Sequence, residues 1–460
     1  MPSENKIIAA VSTPLGNGGI SIVRISGNGS IRLAAKAFKG ADILKKESHT
    51  ITFGHIVSPF TGEVLDEVLL TVMKAPKTYT TEDVVEINCH GGIMSCGRVL
   101  ELILKLGASL AEPGEFTKRA FLGGRIDLTQ AEAVIDIINS KTELGRKAAL
   151  KQLGGSVGNT VRDMRGALLD SIAAIEVSID YPEHDMEEET YAMLKAKTQN
   201  LIEETDRLLD SSRKGRIIRE GVSMVILGKP NVGKSSLLNC LLEEERAIVT
   251  DIPGTTRDTV EEYLSIGGIA VKIIDTAGIR ETDDTVEKIG VEKSRNTARE
   301  ADVILMLLDA SSPLAKEDFE ILDFIKGRNA VILLNKCDLK AAFDISAVKE
   351  YTGTDNIIPI SAKRGEGIGE LEKWFRDMIF EGAVDSGGGE AHITNIRHRD
   401  ALSRARESLK KTLGAITDGM PVDFISMDLT DALNILGEIT GDSYDGELLD
   451  RIFSQFCLGK

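Results

Sequence analysis

One segment in the middle of the chain carries glycines, a lysine and a serine at a spacing suited to binding phosphates. Residues 228–235 read Gly-Lys-Pro-Asn-Val-Gly-Lys-Ser, after an apolar run and before a helix-like stretch. Glycines let backbone N–H groups converge on phosphates at the start of a helix. Lys234 would reach the β- and γ-phosphates, and the Ser235 hydroxyl would ligate Mg²⁺. The spacing predicts a nucleoside triphosphate site.

Three further motifs follow in order, each directly after an apolar run of strand length. Asp275-Thr-Ala-Gly278 offers an acid that can hold Mg²⁺ through water and an N–H for the γ-phosphate. Asn335-Lys-Cys-Asp338 ends in a carboxylate that can accept two hydrogen bonds from guanine, a donor pair that adenine lacks. Ser361-Ala-Lys363 can offer backbone N–H to guanine O6. The set predicts GTP and resembles the GTPase superfamily over residues 220–380.

Two positions differ from the usual water-activating arrangement. Ile279 follows the Asp-Thr-Ala-Gly motif, where Ras-type GTPases place a water-orienting glutamine. Another polar group must then act, and the nearby acids remain open as candidates: Glu281, Asp283, Asp284 and Glu287. Arg257 could act as an arginine finger, but its place beside Thr255 and Thr256 favours a role in the switch segment itself. A monovalent cation held by the Asn231 side chain is an alternative source of positive charge.

The surrounding pattern predicts the elements that position these motifs. Five apolar runs, at 222–227, 271–274, 303–308, 331–334 and 357–360, are separated by helix-length segments. This alternation predicts a doubly wound, mostly parallel sheet over residues 220–382. Because ligands bind at the carboxyl ends of such strands, the motifs should meet at one edge.

The sequence patterns on either side of residues 220–382 differ from this alternation. Residues 1–119 mix β-branched runs at 20–25 and 84–87 with a helix at 92–106, which predicts a small α+β domain. Residues 120–219 and 383–460 are helical, so we expect one helical domain split by the inserted block. A capping box is expected at Thr129–Glu132, with linkers at the acidic run 183–189 and at the glycines 386–389.

Composition excludes several classes of protein. The 460 residues carry a net charge of −17 and only 4% aromatic side chains, which excludes a uniformly basic nucleic-acid binder or a base-stacking platform. The five cysteines are odd in number and scattered, so neither a disulfide framework nor a zinc site at Cys89 and Cys96 is expected. We see no signal peptide and no membrane-length apolar run, and predict a cytoplasmic protein without membrane or DNA as a partner.

Several segments outside the nucleotide motifs point to one family. They are the loop 13–19, Glu-Ile-Asn-Cys-His-Gly-Gly at 86–92, residues 112–132, Gly-Thr-Thr-Arg-Asp at 254–258 and the ending Phe-Cys-Leu-Gly-Lys at 456–460. With the phosphate loop, they resemble the MnmE (TrmE) family of tRNA wobble-uridine modification GTPases over the whole chain. Small departures are Asn17 and Leu458, where the family commonly has Arg and often Ile.

The resemblance implies the following sites. Residues 1–119 would bind a tetrahydrofolate derivative of the 5-formyl or 5,10-methylene type and mediate homodimerisation, and the folate contacts would be Arg24, Glu86, Arg125 and Lys460. K⁺ would be held by the Asn231 side chain and the backbone oxygens of Thr250, Ile252 and Thr255, and Mg²⁺ by Ser235 and Thr256. Glu287 would orient water, Lys234 would act in catalysis, and Cys457 would be a nucleophile, an acid or a pocket wall. The other nucleotide contacts would be Val232, Gly233, Ser236, Asp251, Pro253, Gly254, Asp275, Thr276, Ala277, Gly278, Asn335, Lys336, Asp338, Ser361, Ala362 and Lys363.

The resemblance also implies the reaction. With an FAD-containing partner of the MnmG type, the protein would add an aminomethyl or carboxymethylaminomethyl group to C5 of the wobble uridine of certain tRNAs. Local basic stretches at 207–221 and 393–411 would supply weak tRNA attraction. The alternatives are a switch GTPase that assists ribosome or RNA assembly without covalent chemistry, and a folate-dependent transferase with a vestigial G domain. Intact Lys234, Asp275 and Asp338 argue against the latter.

Overall fold

A computed structural model describes residues 6–180, 187–244, 263–274, 299, 301–380, 393–444 and 446–460. The chain divides into two compact units. The first comprises Met1–Ile135, Gln152–Ile202 and Arg404–Lys460, and the second comprises Asp136–Lys151 and Glu203–Ser403. The domain limits expected at 119, 219 and 382 stay a prediction.

The first unit contains a seven-stranded sheet. Its strands are β1 Ile8–Val11, β2 Ile20–Ser26, β3 Phe38–Gly40, β4 Thr50–Val57, β5 Val64–Met73, β6 Val84–His90 and β7 Ser109–Leu110. The spatial order is β3-β4-β5-β6-β2-β1-β7, antiparallel except for the β1–β7 pair. One face of the sheet packs against the helices α1 Ser30–Ala35 and α2 Ile93–Lys105 through aliphatic side chains and the buried Cys89 and Cys96.

The first unit also contains helices from both ends of the chain. They are α3 Glu115–Leu122, the start of α4 Leu128–Asn139, α6 Ser156–Asp180, α13 Val422–Thr440 and α14 Gly446–Phe453. The last helix buries Leu449 and Phe453 together with Leu128 and Ala131, so its apolar side chains are part of the core. Exclusion of these side chains from water favours this packing.

The capping box lies two residues earlier than expected. Helix α4 already includes Thr129, whose hydroxyl donates to Asp127 Oδ1 at 2.6 Å. The reciprocal pair is Gln130 N to Asp127 Oδ1 and Asp127 N to Gln130 Oε1, both 2.9 Å. Asp127 takes the capping role because its carboxylate precedes the helix, whereas Thr129 and Glu132 lie inside it and are buried.

The second unit contains a six-stranded sheet of order β13-β12-β11-β8-β10-β9. The strands are β8 Val222–Leu227, β9 Tyr263–Ile266, β10 Ile269–Ile273, β11 Val303–Asp309, β12 Ala330–Asn335 and β13 Ile357–Pro359. All neighbours pair in parallel except β9 and β10. Apolar clusters cover both faces of the sheet. The doubly wound sheet is therefore confirmed.

The helices of this sheet are α8 Lys234–Glu244, α9 Lys316–Ile325, α10 Ile345–Thr352 and α11 Ile368–Phe380. Helix α5 Glu143–Leu153 lies mostly in the second unit, and the long helices α7 Glu187–Glu220 and α12 Ile396–Thr417 run through both residue sets. No described helix is long and apolar enough to cross a membrane.

The acidic linker expected at 183–189 is wrong for its last three residues. Glu187, Glu188 and Glu189 form the start of α7, while 183–186 lie outside the described residues. Acidic residues favour a helix start because the macrodipole is positive there, so the same composition that suggests a linker also suits a first turn. The glycine linker at 386–389 lies outside the described residues.

Candidate functional site

The phosphate loop connects β8 to α8, so its backbone N–H groups lie at the start of a helix. Its backbone turns sharply, with positive φ at Gly228, at Asn231 and at Gly233, where φ is +102°. A Cβ at Gly233 would lie 2.2 Å from Asn335 Nδ2, so glycine is required there.

Side chains from the loop and from the end of β12 hold this backbone. Lys234 Nζ donates to Gly228 O at 2.6 Å and to Lys229 O at 3.3 Å. Asn335 Nδ2 donates to Val232 O at 2.7 Å, and Lys336 Nζ donates to Asn231 O at 3.1 Å. The predicted guanine-site motif therefore also shapes the predicted phosphate site.

Asp309 is a residue of this region that sequence reasoning missed. Its Oδ2 pairs with Lys336 Nζ at 2.7 Å, and its Oδ1 accepts from the Ser311 hydroxyl at 2.6 Å. Burial opposes ionisation, but these hydrogen bonds prevail and lower the pKa of Asp309. Its position at the carboxyl end of β11 was the available signal.

The residues expected to contact guanine come together after β12 and β13. Asp338 Oδ1 accepts from the Ser361 hydroxyl at 2.8 Å, and this bond lowers the pKa of Asp338, so its carboxylate is ionised. Ala362 N donates to Asn335 Oδ1 at 3.0 Å, and Ser361 N donates to Glu366 O at 3.0 Å. Since those two N–H groups are engaged, the expected contact to guanine O6 depends on Lys363 N–H.

Part of the expected nucleotide and metal set lies outside the described residues: Thr250, Asp251, Ile252, Pro253, Gly254, Thr255, Thr256, Asp275, Thr276, Ala277, Gly278 and Glu287. Of the predicted metal ligands, the structure describes Asn231 and Ser235, both exposed. Ser236 is also exposed on the first turn of α8. Within the described ranges, no group of three or more His, Cys, Asp or Glu side chains could hold a metal ion.

A second cluster lies in the first unit, where the end of the chain meets the sheet. Arg24 on β2 is directly opposite Glu86 on β6, and Arg24 Nε lies 2.8 Å from Glu86 Oε1. Arg24 also approaches Gly459 O at 3.5 Å. Burial and the neighbouring Arg24 cation lower the pKa of Lys460. Three of the four predicted folate contacts are therefore neighbours.

Two hydrogen bonds to backbone carbonyls hold the chain end in this cluster. Ser12 Oγ donates to Gly459 O at 3.1 Å, and Phe116 N donates to Lys460 O at 3.2 Å. Gly459 has φ +89°, and a Cβ there would lie 2.2 Å from Val11 O. Cys457, two residues before Gly459, is exposed.

The fourth predicted contact, Arg125, reaches the cluster through Tyr79. The Arg125 guanidinium lies 4.9 Å from the Tyr79 ring centroid and donates to Tyr79 O at 3.0 Å. The Arg24 guanidinium lies 5.9 Å from the same ring. Tyr79 was missed by sequence reasoning, and its only signal was an aromatic residue in an otherwise polar turn. It offers an aromatic face between two cations.

His90 lies at the end of β6, exposed and bonded to an acid. Its Nδ1 lies 2.6 Å from Asp66 Oδ1, while Asp66 Oδ2 accepts from His90 N and the Ser95 hydroxyl, both at 2.8 Å. The bond to Asp66 raises the pKa of His90. Burial opposes ionisation of Asp66, but bonds from His90 and Ser95 prevail and lower its pKa.

Several cations of the two basic stretches already have acidic partners. Arg207 pairs with Glu204, Arg219 with Asp136, and Arg404 with Glu438. These pairs neutralise part of the charge that the sequence presents.

Two family models match the chain and together span most of its length. The model of the MnmE helical domain matches residues 128–457, and that of the GTP-binding protein TrmE N-terminus matches residues 7–125. The chain belongs to the MnmE family.

Relatives support this membership over the full length. The tRNA modification GTPase MnmE of Levilactobacillus brevis is 50% identical over 459 residues, covering 100% of this chain and 99% of the relative. That of Ligilactobacillus salivarius is 49% identical, with the same coverage. Among solved structures, the FeoB G-domain from Methanococcus jannaschii is 23% identical, with a TM-score of 0.25, over 34% of this chain and 97% of that one.

Proposed function

We propose that this MnmE-family chain is a GTP-hydrolysing tRNA-modification enzyme. With an FAD-containing partner of the MnmG type, it adds an aminomethyl or carboxymethylaminomethyl group to C5 of the wobble uridine of certain tRNAs. The observation that carries this proposal is the presence of two chemically different clusters. One surrounds the phosphate loop, and the other joins Arg24, Glu86 and Lys460.

The phosphate-loop cluster fits GTP and Mg²⁺. The loop backbone, with positive φ at three residues, places N–H groups at the start of α8. Ser235 follows Lys234 at the position where a Mg²⁺ ligand is needed. Ser235 and Thr256 would hold Mg²⁺, and the metal would neutralise charge on the β- and γ-phosphates. Asn231, with the backbone oxygens of Thr250, Ile252 and Thr255, would hold K⁺. Lys234 would stabilise charge on the transferred phosphoryl group, and Glu287 would orient the attacking water.

The cluster at the chain end fits a reduced folate. Glu86 is a carboxylate that can accept from the amino-pyrimidinone edge of a pterin. Arg24, Arg125 and Lys460 are cations suited to carboxylates on the folate tail. The half-buried position of Lys460 beside Arg24 creates a concentrated positive charge that an anionic ligand would relieve. The folate would supply the one-carbon unit, and the partner's flavin the redox step.

The proposed function also assigns a role to each domain and to the partners. Residues 1–119 would form the folate-binding and dimerisation domain, residues 120–219 and 383–460 the helical domain, and residues 220–382 the G domain. K⁺-dependent association of G domains would drive hydrolysis in a homodimer. The tRNA would be held weakly by this chain and more strongly with the flavoprotein, in the cytoplasm.

Nucleoside analysis of tRNA tests the reaction. Cells lacking the gene should lose the modified wobble uridine, and the parent gene should restore it while Arg24→Ala should not. Equilibrium dialysis with 5-formyltetrahydrofolate then tests the pocket on the purified chain. Unchanged wobble uridine in the deletion strain, together with altered ribosome profiles, would replace this proposal with the assembly-factor alternative.

A further inference from the structure

A second lysine of the phosphate loop, Lys229, pairs with an acid on helix α9. Lys229 Nζ lies 2.8 Å from Asp318 Oδ2. Asp318 is the third residue of α9 and is only 1% exposed, while the Lys229 side chain is 19% exposed. The same Asp318 oxygen accepts from Ala315 N at 2.9 Å, at the start of α9. The ion pair therefore ties the loop to a helix terminus.

Burial makes this pair obligatory for Asp318. A carboxylate removed from water is strongly destabilised unless a cation or hydrogen-bond donors compensate it. The other oxygen, Oδ1, is buried and has no hydrogen-bond partner within the described part of the chain. Compensation therefore comes from Lys229 and from Ala315 N–H, which gives the Lys229 side chain a fixed destination.

Lys229 also contributes through its backbone. Its carbonyl is one of the two that receive Lys234 Nζ. From the end of β12, Asn335 and Lys336 donate hydrogen bonds to the carbonyls of Val232 and Asn231. The loop is thus held by the end of β12 and, through the Lys229–Asp318 pair, by α9.

We propose that Lys229 and Asp318 are positioning residues of the phosphate site, in which the ion pair to the buried Asp318 keeps the loop in its nucleotide-accepting shape and Lys229 itself does not bind phosphate. This inference rests on the proposed GTP binding. If the pair is removed, a smaller fraction of molecules has the competent loop, and the apparent dissociation constant rises in inverse proportion to that fraction.

The experiment measures affinity for fluorescent GDP, GTP turnover and urea unfolding of the full chain. Asp318→Asn keeps the shape and the bond from Ala315 N–H but removes the charge, and should weaken GDP binding about tenfold, with KM rising more than kcat falls. Lys229→Arg should retain affinity within about threefold, since guanidinium can replace ammonium in the pair. Asp323→Asn, on the same helix but in an exposed pair with Lys326, is the matched control.

Two results separate positioning from other roles. The double variant Lys229→Met/Asp318→Leu should recover the unfolding midpoint, because an apolar pair replaces a buried ionic one, while its GDP affinity stays low. Recovery of both quantities would overturn the proposal, as would weakening by Lys229→Met with no effect of Asp318→Asn, which would indicate direct phosphate binding. A parent chain that binds no GDP would instead overturn the proposed function.

Discussion

Substitution of Gly459 by alanine should detach the chain end from the Arg24–Glu86 cluster. The alanine Cβ would lie 2.2 Å from Val11 O and 2.9 Å from Ser12 Cα. Both are backbone atoms of or next to β1, a strand paired on both sides, so neither can move aside as a flexible side chain would. Residues 457–460 must therefore leave their seat.

The cost to stability is limited because undocking is available. The two hydrogen bonds that seat the end, from Ser12 Oγ and Phe116 N, together contribute about 2 kcal/mol net. The buried Phe453 and Phe456 hold the preceding segment and are not displaced. We expect the free energy of unfolding to fall by about 2 kcal/mol, and not by the full cost of a buried clash.

The cost to folate binding should be larger in proportion. Loss of Lys460 from the cluster removes a charge-assisted contact of about 2 kcal/mol, which corresponds to about 30-fold weaker binding. Titration calorimetry with 5-formyltetrahydrofolate, urea unfolding and GTP turnover measure the three quantities. GTP turnover should stay at the parental value.

Gly446→Ala is the matched control, because a Cβ there meets nothing within 4 Å. It should leave folate affinity unchanged. Parental folate affinity in Gly459→Ala would refute the reasoning, since the seat of the chain end would then be irrelevant to the pocket. A loss of GTP turnover in the same variant would show that the two clusters are not independent.

Four further outcomes are expected. Gly233→Ala should abolish detectable GDP binding, because its Cβ would lie 2.2 Å from Asn335 Nδ2; parental affinity in a fluorescence titration would contradict this. GTP turnover should be faster in K⁺ than in Na⁺, and Asn231→Ala should remove the difference; a difference that persists would exclude Asn231 as a ligand. Glu287→Ala should bind GTP normally and hydrolyse it slowly, and unchanged single-turnover rates would transfer the role to another acid. The bond between His90 and Asp66 should stabilise the fold between the lowered pKa of Asp66 and the raised pKa of His90, and weaken as pH falls through the first or rises through the second. NMR titration should show a lower His90 pKa in Asp66→Asn, and an unchanged value would disprove the coupling.

Local patterns predicted five of the six described strands of the second unit and missed β9. The apolar run before each motif formed a strand in the predicted place, with ends shifted by at most two residues, as at β10. Parallel strands end at one edge of a sheet, so the order of motifs already implied that Asn335, Asp338 and the phosphate loop would meet. Patterns were less reliable at helix starts. Asp127, and not Thr129, caps α4, and the acidic residues 187–189 belong to α7 and not to a linker.

By itself, the sequence predicted the phosphate-loop motif and the five apolar runs that form strands of the second unit. These properties depend on residues a few positions apart in the sequence, so they can be recognised without knowledge of the tertiary structure. Only the tertiary structure decided that Gly459 lies against Ser12, 447 positions away, and that Lys229 pairs with Asp318, 89 positions away. Such contacts depend on packing of whole elements and on burial, because a carboxylate such as Asp318 requires its partner only once water has been excluded.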